Sequence, residues 1–181
     1  MNIRHLTARD FRASAWSGGT TTELFLHPQE GSYAARNFKL RISSATVELE
    51  ESVFTQLPGV ERYITPLEGG FTLTHPGTPP VVLGPLAPPY RFSGEIPTHC
   101  VGKATDFNLM LKGCRGHMQL HRDIAPVLPG FNGFYATGDG VFTVNGQQFS
   151  MNKGDLLVIH AQAPDAVQLS GCPALICWAD I

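Results

Sequence analysis

The chain has 181 residues, of which 15% are charged, and its formal net charge is −2. This length suits one domain or two small ones, and a near-neutral chain without a basic block has no electrostatic footprint for nucleic acid. No apolar run approaches the roughly 20 residues of a membrane span, and the N-terminal MNIRHLTARDF lacks the apolar stretch of a signal peptide. The four cysteines form no CxxC pair, which favours buried thiols in a reducing compartment. We therefore expect a cytoplasmic protein that binds neither nucleic acid nor membrane.

Short segments of alternating apolar and polar residues dominate the sequence. Residues 6–13 are the one stretch that could form a short helix, and residues 38–43 (FKLRIS) alternate as in a strand with one buried face. Further strand-like runs are 46–49, 62–65, 71–74, 81–83, 107–111, 141–144, 156–159, 167–169 and 174–178. Turn signals separate them, of which Asn145-Gly146 is the clearest. Many short strands at this spacing predict a sandwich or barrel.

An internal repeat indicates a duplication. Residues 63–73 (YITPLEGGFTL) match residues 134–144 (FYATGDGVFTV) at a constant offset of 71. A second echo, GEI at 94–96 against GDL at 154–156, has an offset of 60 and places about eleven extra residues in the proline-rich stretch 76–90. Two equivalent β units predict a duplicated barrel.

The second half resembles a cupin. The first cupin motif has the form G-x5-H-x-H-x3–4-E-x6-G, and a glycine-acid turn and a second motif with a late histidine follow it. Asp139 stands seven residues before Gly146, the pair Gly154-Asp155 fits the turn, and Asp165 stands where the late histidine is usual.

The histidine positions of the cupin motif are not histidines in either half. They fall within residues 132–135 in the second half, and at Arg62 and Ile64, or at Glu61 and Tyr63, in the first. A cupin metal site needs three or four convergent nitrogen or oxygen ligands. The sequence therefore predicts no metal ion and no catalytic residue.

Arg62 is the main candidate for a binding residue. Val60 and Ile64 flank it at period two, so it should share their face, which in the cupin register looks into the barrel. A buried guanidinium needs an anionic partner, either a protein carboxylate or the carboxylate of a ligand, which a guanidinium binds well. The candidate protein carboxylates are Glu48, Glu68 and Asp106.

A glycine-rich segment near the N-terminus supplies further candidates. Gly18 and Gly19, followed by Thr20, offer backbone donors and a hydroxyl to a ligand, or they form only a loop before the strand 22–26. Trp16 could cover a pocket or plug one end of a barrel.

Asp106 and Asn108 complete the set of candidate residues. They alternate with Phe107 and Leu109, so they share one face of a strand. That face could be exposed to solvent or form the wall of a pocket.

Several segments together resemble the HutD/Ves family of bacterial bicupins. These are WSGGTTTE (16–23), LRISSATVE (40–48), FTQLPGVER (54–62), LEGG (67–70) and DFNLM (106–110). The resemblance covers roughly residues 10–178, although the chain lacks the asparagine of the family pattern W-x-N-G-G-G-T-T-x-E.

The resemblance implies an all-β bicupin, two fused cupin-like β-barrels of the double-stranded β-helix type, without cofactor or metal and often a homodimer. We expect an N-terminal segment (1–34) that packs on the barrels, a first barrel (35–110) and a second barrel (111–181). HutD members accompany histidine-utilisation genes and are thought to bind a small acidic metabolite of that pathway, whereas Ves members are associated with environmental stress.

Three functions follow as hypotheses. The first is a metal-free protein that binds a small carboxylate, such as formylglutamate or urocanate, and has a regulatory role in histidine utilisation or the stress response. The second is a metal-dependent cupin enzyme, an isomerase or a dioxygenase-like protein, in which His99, His117, His121 or His160 would converge with an acid. The third is a β scaffold for protein–protein contacts. The predicted ligand-binding residues are Arg62, Trp16, Gly18, Gly19, Thr20, Asp106 and Asn108.

Overall fold

The computed structural model describes all residues, 1–181, and contains only β-strands, turns and loops. The strands of the first part of the chain are β1 (Asn2–Leu6), β2 (Arg12–Trp16), β3 (Gly19–His27), β4 (Leu40–Val47), β5 (Glu51–Val53), β6 (Val60–Gly69), β7 (Phe71–Thr74), β8 (Val81–Leu83), β9 (Tyr90–Ser93) and β10 (His99–Val101). The remaining strands are β11 (Ala104–Lys112), β12 (Gly116–His121), β13 (Ile124–Val127), β14 (Gly130–Ala136), β15 (Gly140–Val144), β16 (Gln147–Met151), β17 (Leu156–Ala161), β18 (Asp165–Ser170) and β19 (Ala174–Ala179). The all-β prediction is confirmed. The structure has no helix of the length and hydropathy that a membrane span requires.

The chain divides into two compact units. The N-terminal unit comprises residues 12–113, and the C-terminal unit comprises residues 1–11 and 114–181. Residues 1–34, expected to form one segment that packs on the barrels, are therefore shared between the two units. Strand β1 belongs to a sheet of the C-terminal unit, whereas β2 and β3 belong to a sheet of the N-terminal unit.

Residues 6–13, in which the sequence allows a short helix, instead contain the turn between β1 and β2. The carboxylate of Asp10 accepts a hydrogen bond from the backbone N–H of Thr7 at 2.9 Å, and the Asp10 N–H donates to the Thr7 carbonyl. These local bonds close a tight turn, so the chain enters β2 rather than a helix.

Each unit consists of two antiparallel sheets with a shared hydrophobic core. In the C-terminal unit the strand orders are β1-β17-β14-β19-β12 and β13-β18-β15-β16. Its core draws buried residues from both sheets, including Phe134 and Ile176 from the first and Phe142 and Val167 from the second. The turn predicted at Asn145-Gly146 joins β15 to β16, and both residues have positive φ, as a type I′ turn requires.

The N-terminal unit has the strand orders β2-β3-β4-β11-β6-β9 and β5-β10-β7-β8. Ile64 and Phe92 from the first sheet pack with Phe71, Leu73 and Cys100 from the second. The sheets of each unit are not joined by strand pairing, so each unit is a sandwich of two sheets, as in cupin folds.

The two units repeat one topology. The order β4-β11-β6-β9 corresponds to β12-β19-β14-β17, and β5-β10-β7-β8 corresponds to β13-β18-β15-β16. The hairpin β2–β3 extends the first of these sheets only in the N-terminal unit, beyond β4. A duplicated fold therefore underlies the sequence repeat.

The second echo in the sequence does not match equivalent positions. Gly154-Asp155 precedes β17, whereas Gly94-Glu95 follows β9, the strand that corresponds to β17. The insertion lies in the hairpin β7–β8, where Phe71 pairs with Leu83, 12 positions on, whereas Phe142 pairs with Phe149, 7 positions on. The first repeat therefore has five extra residues in this hairpin rather than about eleven.

Candidate functional site

A cavity of about 400 Å³ opens in the N-terminal unit. Its polar lining residues are Ser14, Thr21, Tyr33, Arg41, Ser43, Ser52, Thr55, Arg62, Asp106 and Asn108. Its other lining residues are Trp16, Ala45, Val47, Val53, Phe54 and Met110. Four of the seven predicted site residues, Arg62, Trp16, Asp106 and Asn108, are therefore brought together here.

Strand alternation explains this lining. Residues 41, 43, 45 and 47 of β4 and residues 106, 108 and 110 of β11 point to one face, because side chains two residues apart share a face of a strand. Arg62 comes from β6, on the other side of β11, and the hairpin β2–β3 adds a wall beyond β4.

Arg62 is a buried guanidinium with no carboxylate in an ion pair with it. Its side chain is only 6% exposed, and the ion pairs of the structure do not include it. Its Nε and Nη2 donate two long hydrogen bonds, 3.4 and 3.3 Å, to Asn108 Oδ1. The guanidinium also lies over the rings of Phe54 and Phe92, 4.7 and 5.2 Å from their centroids. Burial lowers the pKa of Arg62 to about 10, and the nearby Asp106 opposes this shift.

Asp106 is the carboxylate with the largest electrostatic effect on the pKa of Arg62. The residue is 4% exposed, and its Oδ1 has no hydrogen-bond partner. Burial raises the pKa of Asp106 to about 7, against the lowering effects of Arg62 and of hydrogen bonds from the Ala45 backbone and the Asn108 side chain.

Asn108 stands between the two charged groups. Its carbonyl oxygen accepts from Arg62, and its side chain hydrogen-bonds Asp106. An amide can serve both neighbours because it has an acceptor at one end and donors at the other. Arg62 and Asp106 are thereby held near each other without a direct ion pair.

Arg41 is a second buried guanidinium in the cavity that the sequence analysis did not identify. Its Nε donates to Glu23 at 2.8 Å, its Nη1 donates to Ser43 at 3.2 Å, and its guanidinium lies 4.2 Å from the centroid of the Tyr33 ring. The expectation of one buried face for residues 38–43 is corrected, because Leu40, Arg41, Ile42 and Ser43 are all buried. Both faces of β4 are buried, because Arg41 and Ser43 face the cavity on one side of the sheet and Leu40 and Ile42 are fully buried on the other. The only available signal was that Arg41 belongs to a segment that resembles the family.

Trp16 lies at the cavity with 42% of its surface exposed. Gly18 allows this placement, because a Cβ there would lie 2.1 Å from the Trp16 ring and 2.8 Å from the Leu49 side chain. At Gly19, a Cβ would lie 1.9 Å from the Thr46 carbonyl oxygen, so only glycine allows this approach of β3 to β4.

Gly18, Gly19 and Thr20 do not line the cavity. Gly18 accepts a hydrogen bond from the Glu48 N–H at its carbonyl, and Thr20 pairs with Ala15 and Thr46 within the sheet. The glycine segment therefore packs the hairpin β2–β3, whereas Thr21 is the threonine that reaches the cavity.

The donor set does not fit the metal ion that many cupins hold. A guanidinium offers only N–H donors and cannot ligate a cation, yet Arg62 occupies one of the predicted ligand positions. No group of three or more histidine, cysteine or acidic side chains has an arrangement that could hold a metal ion. His99 pairs with Glu51 at 3.3 Å in the N-terminal unit, whereas His117, His121 and His160 lie in the C-terminal unit.

The polar inner face is specific to one repeat. Ile64 shares the inner face of β6 with Arg62 and packs with Phe71 and Leu73, whereas Phe134 and Ala136 on the inner face of β14 pack with Phe142 and Val144.

The corresponding face of the C-terminal unit has no such charges. In β14, which corresponds to β6, the inward residues are Asn132, Phe134 and Ala136. In β19, which corresponds to β11, Ile176 and Ala174 lie opposite Phe134 and Ala136. Neither Arg62 nor Asp106 therefore has a charged counterpart on these two strands of the C-terminal unit.

Comparison with known proteins identifies the family. The HutD family model matches residues 8–176. The chain belongs to the HutD family. A search among curated proteins gives no significant match to this HutD-family chain.

Solved structures agree with this assignment. The conserved protein of unknown function PA5104 from Pseudomonas aeruginosa PAO1 is 25% identical, with a TM-score of 0.83 over 98% of this chain and 97% of that chain. HutD from Pseudomonas fluorescens SBW25, in a formate condition, is 25% identical, with a TM-score of 0.80 over 97% of each chain. A cupin 2 conserved barrel domain protein from Leptotrichia buccalis, 12% identical, has a TM-score of 0.58 over 91% of this chain and 89% of that chain. The last likeness supports the cupin fold alone.

We predict that Asp106→Asn changes the pH dependence of stability. A carboxyl whose pKa is higher in the folded chain holds its proton more tightly when folded, so its contribution to stability falls as the pH rises from about 4 to about 7. Between about pH 4.5 and pH 8, the unsubstituted chain (the parent) should lose about 2–3 kcal/mol of unfolding free energy relative to the variant. Urea unfolding of both proteins at the two pH values measures this difference.

The control for this prediction is Asp180→Asn, at a surface carboxylate. Hydrogen bonds from Arg115 lower the pKa of Asp180, so this carboxyl is ionised in both the folded and the unfolded chain above about pH 4.5, and Asp180→Asn should leave the change in stability between the two pH values nearly unaltered. Equal pH profiles for the parent and Asp106→Asn would show that the Asp106 carboxyl titrates normally.

Proposed function

We propose that this HutD-family chain binds a small carboxylate metabolite in the cavity of the N-terminal unit and has a regulatory role in histidine utilisation. The observation that carries the proposal is Arg62, a buried guanidinium that lines a cavity and has no carboxylate partner in an ion pair. A buried cation is costly unless an anion compensates it, and a guanidinium binds a carboxylate through two parallel hydrogen bonds.

The surroundings of Arg62 favour a ligand that combines a carboxylate with an apolar part. Arg41 adds a second guanidinium, although Glu23 already neutralises it at 2.8 Å. Phe54, Met110 and Trp16 provide apolar surface beside these cations. Formylglutamate and urocanate combine a carboxylate with further bulk, and both suit a cavity of about 400 Å³.

The pathway and the assembly rest on the family rather than on the cavity. Similarity to HutD from Pseudomonas fluorescens supports a place in histidine utilisation, and the proposed homodimer rests on the family resemblance alone. For the metal-dependent enzyme, the alternative hypothesis, the cavity offers no fitting set of ligands. We therefore propose that the cavity of the N-terminal unit is a binding site for an organic anion.

Titration calorimetry tests the binding. We expect formylglutamate or urocanate to bind with one site per chain, because only one repeat has the charged inner face. The uncharged amide of the same compound should bind at least tenfold more weakly, since it cannot form the ion pair with Arg62. In a Trp178→Phe variant, ligand should also change the fluorescence of the remaining Trp16. Absence of heat and of a fluorescence change with millimolar carboxylates would contradict the proposal.

The regulatory role needs a separate measurement. In the source organism, deletion of this chain should alter the expression of histidine-utilisation genes, and the parent sequence should restore it. Unchanged expression after deletion would leave a binding protein without this role.

A further inference from the structure

We propose that Asp106 selects among small carboxylates by accepting a hydrogen bond, at Oδ1, from an N–H or O–H group that lies within a few bonds of the ligand's carboxylate. The inference rests on the proposed function, and it names the class of ligand that the cavity prefers.

The unpaired oxygen of Asp106 is the observation that carries this inference. Asp106 lines the cavity, is 4% exposed, and its Oδ1 has no hydrogen-bond partner. Buried polar atoms in folded proteins nearly always have partners, because an unsatisfied buried acceptor loses its hydration without compensation. Because Asp106 lines the cavity, the proposed partner for this oxygen is a group of the ligand bound there.

The charges determine what kind of partner it is. A ligand carboxylate facing Asp106 would place two negative charges together, so the ligand's anionic group belongs at Arg62 instead. The group that faces Asp106 must then donate a hydrogen bond. Asn108 adjoins both groups, because its carbonyl oxygen accepts from Arg62 and its side chain also lowers the pKa of Asp106. Arg62, Asn108 and Asp106 line the same cavity, which suits a donor close to the carboxylate.

The protonation state of Asp106 gives a second measurable property. The charged groups that act on it are Arg62 on β6 and Arg41 on β4. The charge of Asp106 in turn raises the pKa of the buried Cys100 thiol on β10, and Tyr33 also lines the cavity. Burial raises the pKa of Asp106 to about 7. Above this pH the carboxylate accepts a ligand donor strongly, whereas below it the proton on the carboxyl competes with that donor.

Two pairs of ligands of matched size test the inference by titration calorimetry. Lactate differs from propionate by a hydroxyl, and N-acetylglycine differs from acetoxyacetate by an N–H in place of an ester oxygen. We expect the member with the donor to bind at least tenfold more tightly at about pH 8 in one or both pairs, and this ratio to decrease towards about pH 6. The pair that responds identifies whether the donor is a hydroxyl or an amide.

Two variants identify the residue. Asp106→Ala should reduce the ratio to about one while still binding propionate, because Arg62 remains. Asp106→Asn keeps the shape and an acceptor oxygen but cannot titrate, so its ratio should not change between about pH 6 and pH 8. If the alanine variant fails to fold, the pH dependence of the ratio in Asp106→Asn still tests the role of Asp106.

The outcomes separate this inference from the proposed function. Equal binding within both pairs by the parent, or a ratio that Asp106→Ala leaves unchanged, would overturn the role of Asp106 but leave an anion site at Arg62. No binding of any of these carboxylates or of formylglutamate and urocanate would overturn both.

Discussion

Replacing Arg62 by methionine should lower the affinity for the carboxylate ligand by about 30-fold to several thousand-fold, which corresponds to the roughly 2–5 kcal/mol of a buried charged pair. Methionine keeps much of the apolar volume of the arginine stem, so contacts with Phe54 and Phe92 are largely preserved. The loss should therefore report the charge and its fork-like hydrogen bonds. Calorimetry with formylglutamate and urocanate measures it.

The stability of the same variant separates a ligand-binding arginine from a structural one. Burial opposes the charge of Arg62 and lowers its pKa to about 10. Removing one partner of a buried ion pair is destabilising because it leaves the other charge uncompensated, but Arg62 has no direct ion pair, and the pKa of Asp106, about 7, allows that carboxyl to take up a proton. We therefore expect the thermal midpoint of Arg62→Met to equal or exceed that of the parent. If the variant unfolds, or binds these acids as well as the parent does, Arg62 is structural and the site assignment is wrong.

Two control variants complete this experiment. Arg62→Lys keeps a positive charge but loses the planar fork, so its affinity should lie between those of the parent and Arg62→Met. Arg91→Met makes the same change at an exposed arginine of β9 that pairs with Glu61, and it should leave the affinity unchanged.

Replacing Asn132 by leucine should lower the unfolding free energy by about 2–4 kcal/mol, because buried backbone groups lose their partners. Asn132 is fully buried, and its Oδ1 accepts from the Leu128 N–H at 2.9 Å. Its Nδ2 donates to the carbonyls of Leu128 at 2.7 Å and Gly130 at 3.2 Å. These bonds hold the turn into β14, which leucine cannot do. Urea unfolding at constant pH measures the difference.

The control for Asn132 is a change to an apolar neighbour on the same inner face. Ile176→Val removes one methyl group from the core of the C-terminal unit and should cost about 0.5–1.5 kcal/mol. Both variants should keep the ligand affinity of the parent, because the cavity lies in the N-terminal unit. A smaller effect for Asn132→Leu than for Ile176→Val would mean that the turn finds other hydrogen-bond partners.

Local patterns in the sequence predict much of this fold and part of the site. Alternation is a local property, so it correctly places Arg62 on the face of Val60 and Ile64. The turn at Asn145-Gly146 is also predicted locally, because it requires positive φ at these two residues only. Asp106 and Asn108 share the wall of the cavity, as one of the two interpretations of their strand expects.

The rest of the site depends on which strands become neighbours. Arg41 and Ser43 resemble residues on a solvent face in the sequence, but in the fold they face a cavity that residues of the second sheet, such as Ser52 and Val53, help to enclose. The same holds for Gly18 and Gly19, whose role is set by Leu49 and Thr46, distant in sequence but adjacent in space. A short sequence echo also cannot reveal an insertion within the hairpin β7–β8, since only strand pairing fixes which residues are equivalent.

The unequal inner faces of the two repeats have a consequence for the response to ligand. Arg62, Asn108 and Asp106 meet in one unit, whereas the inward residues of the corresponding strands in the other, which include Asn132, Ile176 and Ala174, carry no charge, so a duplicated chain has only one charged cavity. A single chain with one site follows a simple hyperbolic saturation curve, whatever its affinity. Any sigmoidal dependence on metabolite concentration would therefore have to arise between chains, and its presence or absence would report on assembly as directly as a mass measurement does.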